Sequence, residues 1–258
     1  MSARLRRGID EGDWLRRYST PIEETICYFH YDCDSFPVLP QGAAQKYSPS
    51  GEARPVPGLS FVYMLSAEEH VYREFSRQAE ELKRELGRNG LGNVFAFLPP
   101  ETHHVTIADI VTSPGSGVRD GIVDETRRLC GSLSERRLAQ FNLVIENASI
   151  CAGTSHVAWA YPHRQADLDA IIEIRRALKT LHKIGEGVFP GSADQFLFHI
   201  TNAYLLRAIP DPGEYATLQS ILRKRERHCF GTVLVKEIAL YAFNDMQTWD
   251  RIVNLPLT

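Results

Sequence analysis

The sequence predicts an α+β fold, duplicated and two-lobed, with two mostly antiparallel sheets facing a central groove and helices on the outer faces. Three observations lead there. Segments with strand-like and helix-like patterning run strand, helix, strand, helix, strand, and then the order repeats. The helices are separated by hairpin-like strand runs, not by the single strands of strict βαβ repeats. A His-apolar-Thr unit occurs twice, as His104-Val105-Thr106 and His199-Ile200-Thr201, and the copies lie 95 residues apart. The same offset separates Ser60 from Ser155, which open two equivalent strand-like runs.

Residues 1–57, with "FPVLPQG" and "YSPSGEARPVPG", show little apolar period and are expected to be an irregular wrapping segment with at most one short helix. The remainder, 58–258, is expected to form a single two-lobed domain with repeats at about 58–150 and 153–245. After Pro57-Gly58, "SFVYML" reads as a strand. The stretch from Ser66 to Gly87 reads as a helix: Ser66 followed by Glu69 is a capping-box pattern, Val71, Phe75, Ala79, Leu82 and Leu86 form an apolar stripe, and Gly87 is the stop signal. "NVFAFLPP" and "HHVTIADIV" read as a strand pair, followed by a helix over 118–133 and a strand over 139–148. In the second half, "SHVAWAYP" is a strand and "RQADLDAIIEIRRALKTLHKIG" a helix. "QFLFHITNAYLL" is a strand, 214–227 a helix, and "TVLVKEIALYAF" one further strand.

Composition removes several classes of function. The net charge is −3 and no Lys/Arg block stands out, which argues against a module that grips many phosphates of a long nucleic acid. A small anion held by a few donors remains compatible. Hydrophobic residues make up 43% of the 258, enough for a sizeable core, yet no apolar run approaches the roughly 20 residues of a membrane helix. The N-terminal stretch lacks the apolar region of a secretory signal and carries acids that a transit peptide avoids. The five cysteines, Cys27, Cys33, Cys130, Cys151 and Cys229, have no CxxC spacing. A cytoplasmic protein with reduced thiols is the expectation.

The twin unit carries the chemistry. Residues i and i+2 of a strand project from one face, so His104 shares a face with Thr106, and His199 with Thr201, while Val105 and Ile200 point into the core. Continued along each strand, the alternation puts Ala108 and Ile110 on the face of His104, with Asp109 on the reverse. It puts Ala203 and Leu205 on the face of His199. Two lobes related by a pseudo-twofold axis would bring two imidazoles and two hydroxyls around one small volume. Displacement at a phosphate diester needs a base for the attacking oxygen and an acid for the leaving oxygen, and imidazole serves as either near neutral pH. Hydroxyls beside it hold the non-bridging oxygens. No third metal ligand is visible near either histidine, so neither a metal nor any other cofactor is expected.

Paired His-apolar-Thr units on strands of a duplicated α+β fold resemble the two-histidine (2H) phosphoesterase superfamily, which includes 2′,3′-cyclic nucleotide phosphodiesterases and 2′-5′ RNA ligase-like enzymes. The resemblance runs from about Pro57 to the C-terminus. "KYSPSGEARPVPG", "HHVT" and "FHITNAYL" look closer to a branch known only as a domain of unknown function. The resemblance implies that His104 and His199 are catalytic, one as base and one as acid, and that Thr106 and Thr201 bind phosphate.

The expected activity is a metal-independent phosphoric diester hydrolase acting on a cyclic or 2′-5′-linked nucleotide or a short RNA end, working as a monomer. A nucleotide or phosphometabolite binding module on the same fold, or ligase-like reversal of the same reaction, are the alternatives. Among the strand aromatics (Tyr63, Phe95, Phe97, Trp159, Tyr161, Tyr204, Tyr241, Phe243), most are expected in the core and one or two at the groove rim. Lys46 and Arg54 are candidates to close over an anion. His103 must face away from His104, and structural or surface duty is expected for it, as for His156 and His163.

Overall fold

The computed structural model describes residues 46–112, 116–151, 155–185 and 198–258. Most of the irregular segment expected at 1–57, with Cys27, Cys33 and His30, therefore lies outside the described residues. The elements in chain order are β1 (Gly58–Met64), α1 (His70–Arg88), β2 (Phe95–Phe97), β3 (His104–Thr112), α2 (Ser116–Glu135), β4 (Phe141–Cys151), β5 (Ser155–Pro162), α3 (Gln165–Gly185), β6 (His199–Leu205), α4 (Pro212–Arg223), β7 (Cys229–Val235), β8 (Glu237–Phe243) and β9 (Trp249–Pro256). None of the helices among the described residues is long and apolar enough to cross a membrane.

All the strand pairings are antiparallel, and the spatial order is β7-β4-β5-β6-β3-β1-β8-β9, with β2 beside β6. The α+β class holds. The two sheets expected from the sequence are two halves of one nine-stranded sheet, and they meet through a single residue pair, Val105 with Ile200. The last strand of each of the two repeats crosses over to the other half of the sheet. Thus β4 pairs with β5, and β8 pairs with β1.

One face of the sheet carries the main core. Leu59, Phe61, Val105, Ile107, Leu143, Ile145, Ile200 and Leu240 pack there with Ile122 of α2 and with Ile174 and Leu178 of α3. Burying each such side chain contributes about 1.5–3 kcal/mol. A second cluster joins Leu82 and Leu86 of α1 to Leu218 and Ile221 of α4, over Phe95, Ala203 and Leu205. Helix α1 buries the five stripe residues expected of it. It starts at His70, later than the capping pattern suggested, although the Glu69 carboxylate does accept from the Ser66 amide (2.7 Å), as a capping box requires, and also from the Tyr63 hydroxyl. It runs one residue past Gly87 and closes where Gly90 (φ 76°) lets the Leu91 amide reach the Leu86 carbonyl at 2.8 Å.

Three strand assignments differ from expectation. "TVLVKEIALYAF" is two strands: β7 lies at one edge of the sheet and β8 in the other half, with only Lys236 between them. The run contains no Gly, Pro, Asn or Asp to mark the break. β2 pairs with β6, not with β3; the two lie end to end along one side of β6, separated by the turn at Pro100–Thr102. β9, absent from the sequence reading, flanks β8.

Candidate functional site

The site follows from the register of one residue pair. Val105 stands opposite Ile200, and one step to either side sets His104 against Thr201 and Thr106 against His199. Residues directly across an antiparallel pair share a face, so all four polar side chains project from the side opposite the main core. Val105 and Ile200 are 0% exposed, whereas His104, Thr106, His199 and Thr201 are each half-buried. The paired residues are themselves 95 apart in the chain, so the local twofold axis of the strand pair relates the two histidine units. At this diagonal register, the β-carbons of the two histidines stand on the order of 7 Å apart.

His104 is held in one orientation. Its Nδ1–H donates to the Thr102 carbonyl oxygen at 2.7 Å, which can only accept, so Nε2 carries the lone pair. The ring of Trp249 covers it at 4.3 Å between centroids, and Phe243 backs Trp249 at 4.5 Å. Burial pushes the His104 pKa down to about 4. The Thr102 carbonyl opposes that shift, the neighbouring His199 adds to it, Asp109 opposes it and Lys46 adds to it. Across the pair, Trp159 lies edge-on to His199 at 6.0 Å. Among the described residues, the hydroxyls of Thr106 and Thr201 have no hydrogen-bond partner.

Beyond these residues the simple alternation fails. In the β1–β3 pairing, Val62 faces Thr106 and Phe61 faces Ala108, so Ile107 is an extra residue. In the β5–β6 pairing, Val157 faces Thr201 and His156 faces Ala203, so Asn202 is extra. Both bulges fall three residues after the histidine. Ala108 and Ile110 consequently enter the main core, and Ala203 and Leu205 enter the cluster under α1 and α4. The residue five after each histidine comes to the site face instead: Asp109 on β3 and Tyr204 on β6. The expectation that Asp109 lies on the reverse is thus corrected.

Separate partners hold each bulge. The Ile107 carbonyl accepts from the buried guanidinium of Arg175 on α3. Asn202, 1% exposed, donates from Nδ2 to His156 Nδ1 at 3.1 Å. On the site face, Ser60 donates to Asp109 Oδ1 at 2.7 Å. Lys46 donates to the Tyr204 hydroxyl at 3.0 Å and lies 4.6 Å over its ring. Trp249 escaped the sequence reading because β9 did; its signal was the strand-like run "WDRIVNLP".

Other histidines whose contacts are described stand apart from this face. His103 is 1% exposed and packs edge-on against Phe75 at 4.8 Å. His156 is buried beside Asn202, and His228 pairs with Glu74 at 2.7 Å. Arg54 is exposed, and its backbone amide donates to the Lys46 carbonyl at 2.8 Å. Cys130 and Cys229 are free thiols. Among the described residues, no group of three His, Cys, Asp or Glu side chains is placed to hold a metal ion.

Two histidine units joined on one antiparallel sheet are the arrangement that the resemblance to the two-histidine phosphoesterase superfamily implies, and part of the chain matches a family of that class. Within that class, residues 46–151 match the family described as 2H-phosphodiest, a domain of unknown function (DUF1868); the match takes in the first histidine unit and ends before the second. Similar in fold is a conserved protein of unknown function, ATU0111, from Agrobacterium tumefaciens str. C58. It is 19% identical with a TM-score of 0.62, over 83% of this chain and 92% of that one. A phosphoesterase is similar at 16% identity and a TM-score of 0.50, over 80% of this chain and 99% of its own. E. coli LigT complexed with 3′-AMP shows 17% identity and a TM-score of 0.46, over 79% and 99%. Among curated proteins, none matches the sequence.

Proposed function

We propose that this chain is a metal-independent phosphodiesterase that acts on a cyclic or 2′-5′-linked nucleotide, or a short RNA end, by two-histidine acid–base catalysis. The observation that carries the reading is the Val105–Ile200 pair, which sets His104, Thr106, His199 and Thr201 on one half-buried face. The match of residues 46–151 to the 2H-phosphodiest family supports phosphoester chemistry in general.

In this reading, the phosphate lies between the two imidazoles with its non-bridging oxygens on the hydroxyls of Thr106 and Thr201. His104 suits the base. Its depressed pKa keeps it neutral at pH 7, Nε2 presents a lone pair, and the Thr102 carbonyl stabilises the imidazolium once the proton arrives. Water oxygen attacks phosphorus as Nε2 of His104 takes its proton. The bond to the leaving oxygen breaks as His199, across the diagonal, supplies a proton to it. For a 2′,3′-cyclic phosphate, the product is a monophosphate with one hydroxyl released.

The test is turnover of 2′,3′-cyclic nucleotides and 2′-5′-linked dinucleotides by purified protein in the presence of a chelator. A bell-shaped pH profile is expected, with a loss of at least about a hundredfold in His104→Ala and in His199→Ala. Full activity in both variants would remove the mechanism. Nucleotide binding without turnover of any diester would leave a binding module in its place.

A further inference from the structure

The two histidine units match in register, bulge and hydroxyls, but differ at the residue that the bulge turns onto the site face. In one half it is Asp109; in the other it is Tyr204. Ser60 lies across from Asp109, and Ser155, at the same offset, lies across from Tyr204. The symmetric frame thus carries unlike chemistry at its two ends. The Tyr204 end holds a cation, Lys46, against its hydroxyl at 3.0 Å. The Asp109 end holds a carboxylate.

Asp109 is half-buried, accepts one hydrogen bond, from Ser60 to Oδ1, and has no hydrogen-bond partner for Oδ2 among the described residues. It acts electrostatically on His104, which places its charge within reach of the same volume. A carboxylate beside an anion site is unfavourable for a second phosphate and favourable for a hydroxyl or amino group that can donate to it. Nothing in the four-residue phosphate cradle needs it.

We propose that Asp109 is a specificity-determining residue: its carboxylate takes a hydrogen-bond donor, a hydroxyl or amine, on the organic group attached to the phosphate, and rejects ligands bearing a second phosphate on that side. This rests on the proposed function and narrows its substrate class to monophosphate-level diesters with a free hydroxyl-bearing sugar. Tyr204 and Lys46 at the opposite end make the site directional, so the two ester arms of a bound diester are not interchangeable.

The test compares equilibrium binding of adenosine 2′-monophosphate and adenosine 2′,5′-bisphosphate by calorimetry, so that it does not depend on turnover. The wild-type protein is expected to prefer the monophosphate by at least about tenfold. Asp109→Asn should reduce that preference to within about threefold, mainly by tighter binding of the bisphosphate. Asp109→Ser, small and neutral, repeats the measurement if the Asn variant fails to fold. A wild-type protein that binds both ligands equally, or a preference that survives in the neutral variants, overturns the proposal. The preference without any diester turnover would overturn the proposed hydrolysis alone, and turnover without the preference would overturn the role of Asp109 alone. Failure of both ligands to bind at millimolar concentration would sink both.

Discussion

Lowering the pH from about 6.5 to 5 should remove stability from the fold through two histidines that lie off the site face, His103 and His156. His103 is 1% exposed, and neither of its ring nitrogens has a hydrogen-bond partner. Burial pushes its pKa down to about 3, with the adjacent His104 adding to the effect. His156 is 3% exposed, and burial, then the charge of Arg225, push it down to about 3 as well. In the unfolded chain, each returns to about 6.5. A folded pKa below the unfolded one means that the unfolded state takes up the proton first. Stability is therefore complete above about pH 6.5 and falls as the pH descends towards 3. Each histidine contributes a limiting slope of about 1.4 kcal/mol per pH unit, so the pair removes about 3 kcal/mol between pH 6.5 and 5, and His104, held at about 4 by its burial, adds about 1.5 kcal/mol over the same window. That is a large part of the roughly 5–15 kcal/mol of a typical domain. Ordinary carboxylates titrate below this window, while half-buried Glu146, raised by its burial, works in the opposite direction. Urea denaturation at matched ionic strength and pH 7, 6 and 5 measures the loss, and His103→Leu, apolar in an aromatic setting, should remove about a third of it. A change under about 1 kcal/mol across the window, or an undiminished loss in His103→Leu, would refute the reasoning.

Other consequences can be checked one residue at a time. A β-carbon at Gly58 would stand 2.2 Å from Phe243 Cζ, so Gly58→Ala must displace the ring that backs Trp249. The expected cost is about 1–3 kcal/mol in denaturant titration, and unchanged stability would contradict that packing. Trp249→Ala uncovers His104, and its imidazole pKa, followed by NMR, should climb from about 4 towards the ordinary value; no movement would mean that the indole is not part of the burial. Arg175→Met leaves the Ile107 carbonyl without its donor and should destabilise the fold by about 1–3 kcal/mol. It should also weaken the mono- over bisphosphate preference as the bulge relaxes, and retention of both stability and preference would separate Arg175 from the bulge.

The part of the site legible in the sequence was the part short enough to obey strict alternation. Three residues of each strand, His-apolar-Thr, kept their period, and the shared offset of 95 reappeared as the register of Val105 with Ile200. The apolar stripe of α1 was equally plain, since a 3.6-residue period is a long-range signal. What failed was register over distance. The bulges centre on Ile107 and Asn202 without a glycine to announce them, and each reverses the facing of the residues just after it, Asp109 and Tyr204 among them. Asp109 and Tyr204 were therefore unreadable as site-face residues. Trp249 reaches His104 only through the sheet order β3-β1-β8-β9, a long-range arrangement that local patterning does not carry.

The central claim is that His104 and His199 converge on one anion, and titration with inorganic phosphate, observed at the imidazole nitrogens of 15N-labelled protein, tests it most directly. Both rings are expected to respond along one saturation curve with one Kd, and His104→Ala should weaken the response that remains at His199. Response of only one ring, or saturation of the two at different phosphate concentrations, would contradict a shared site.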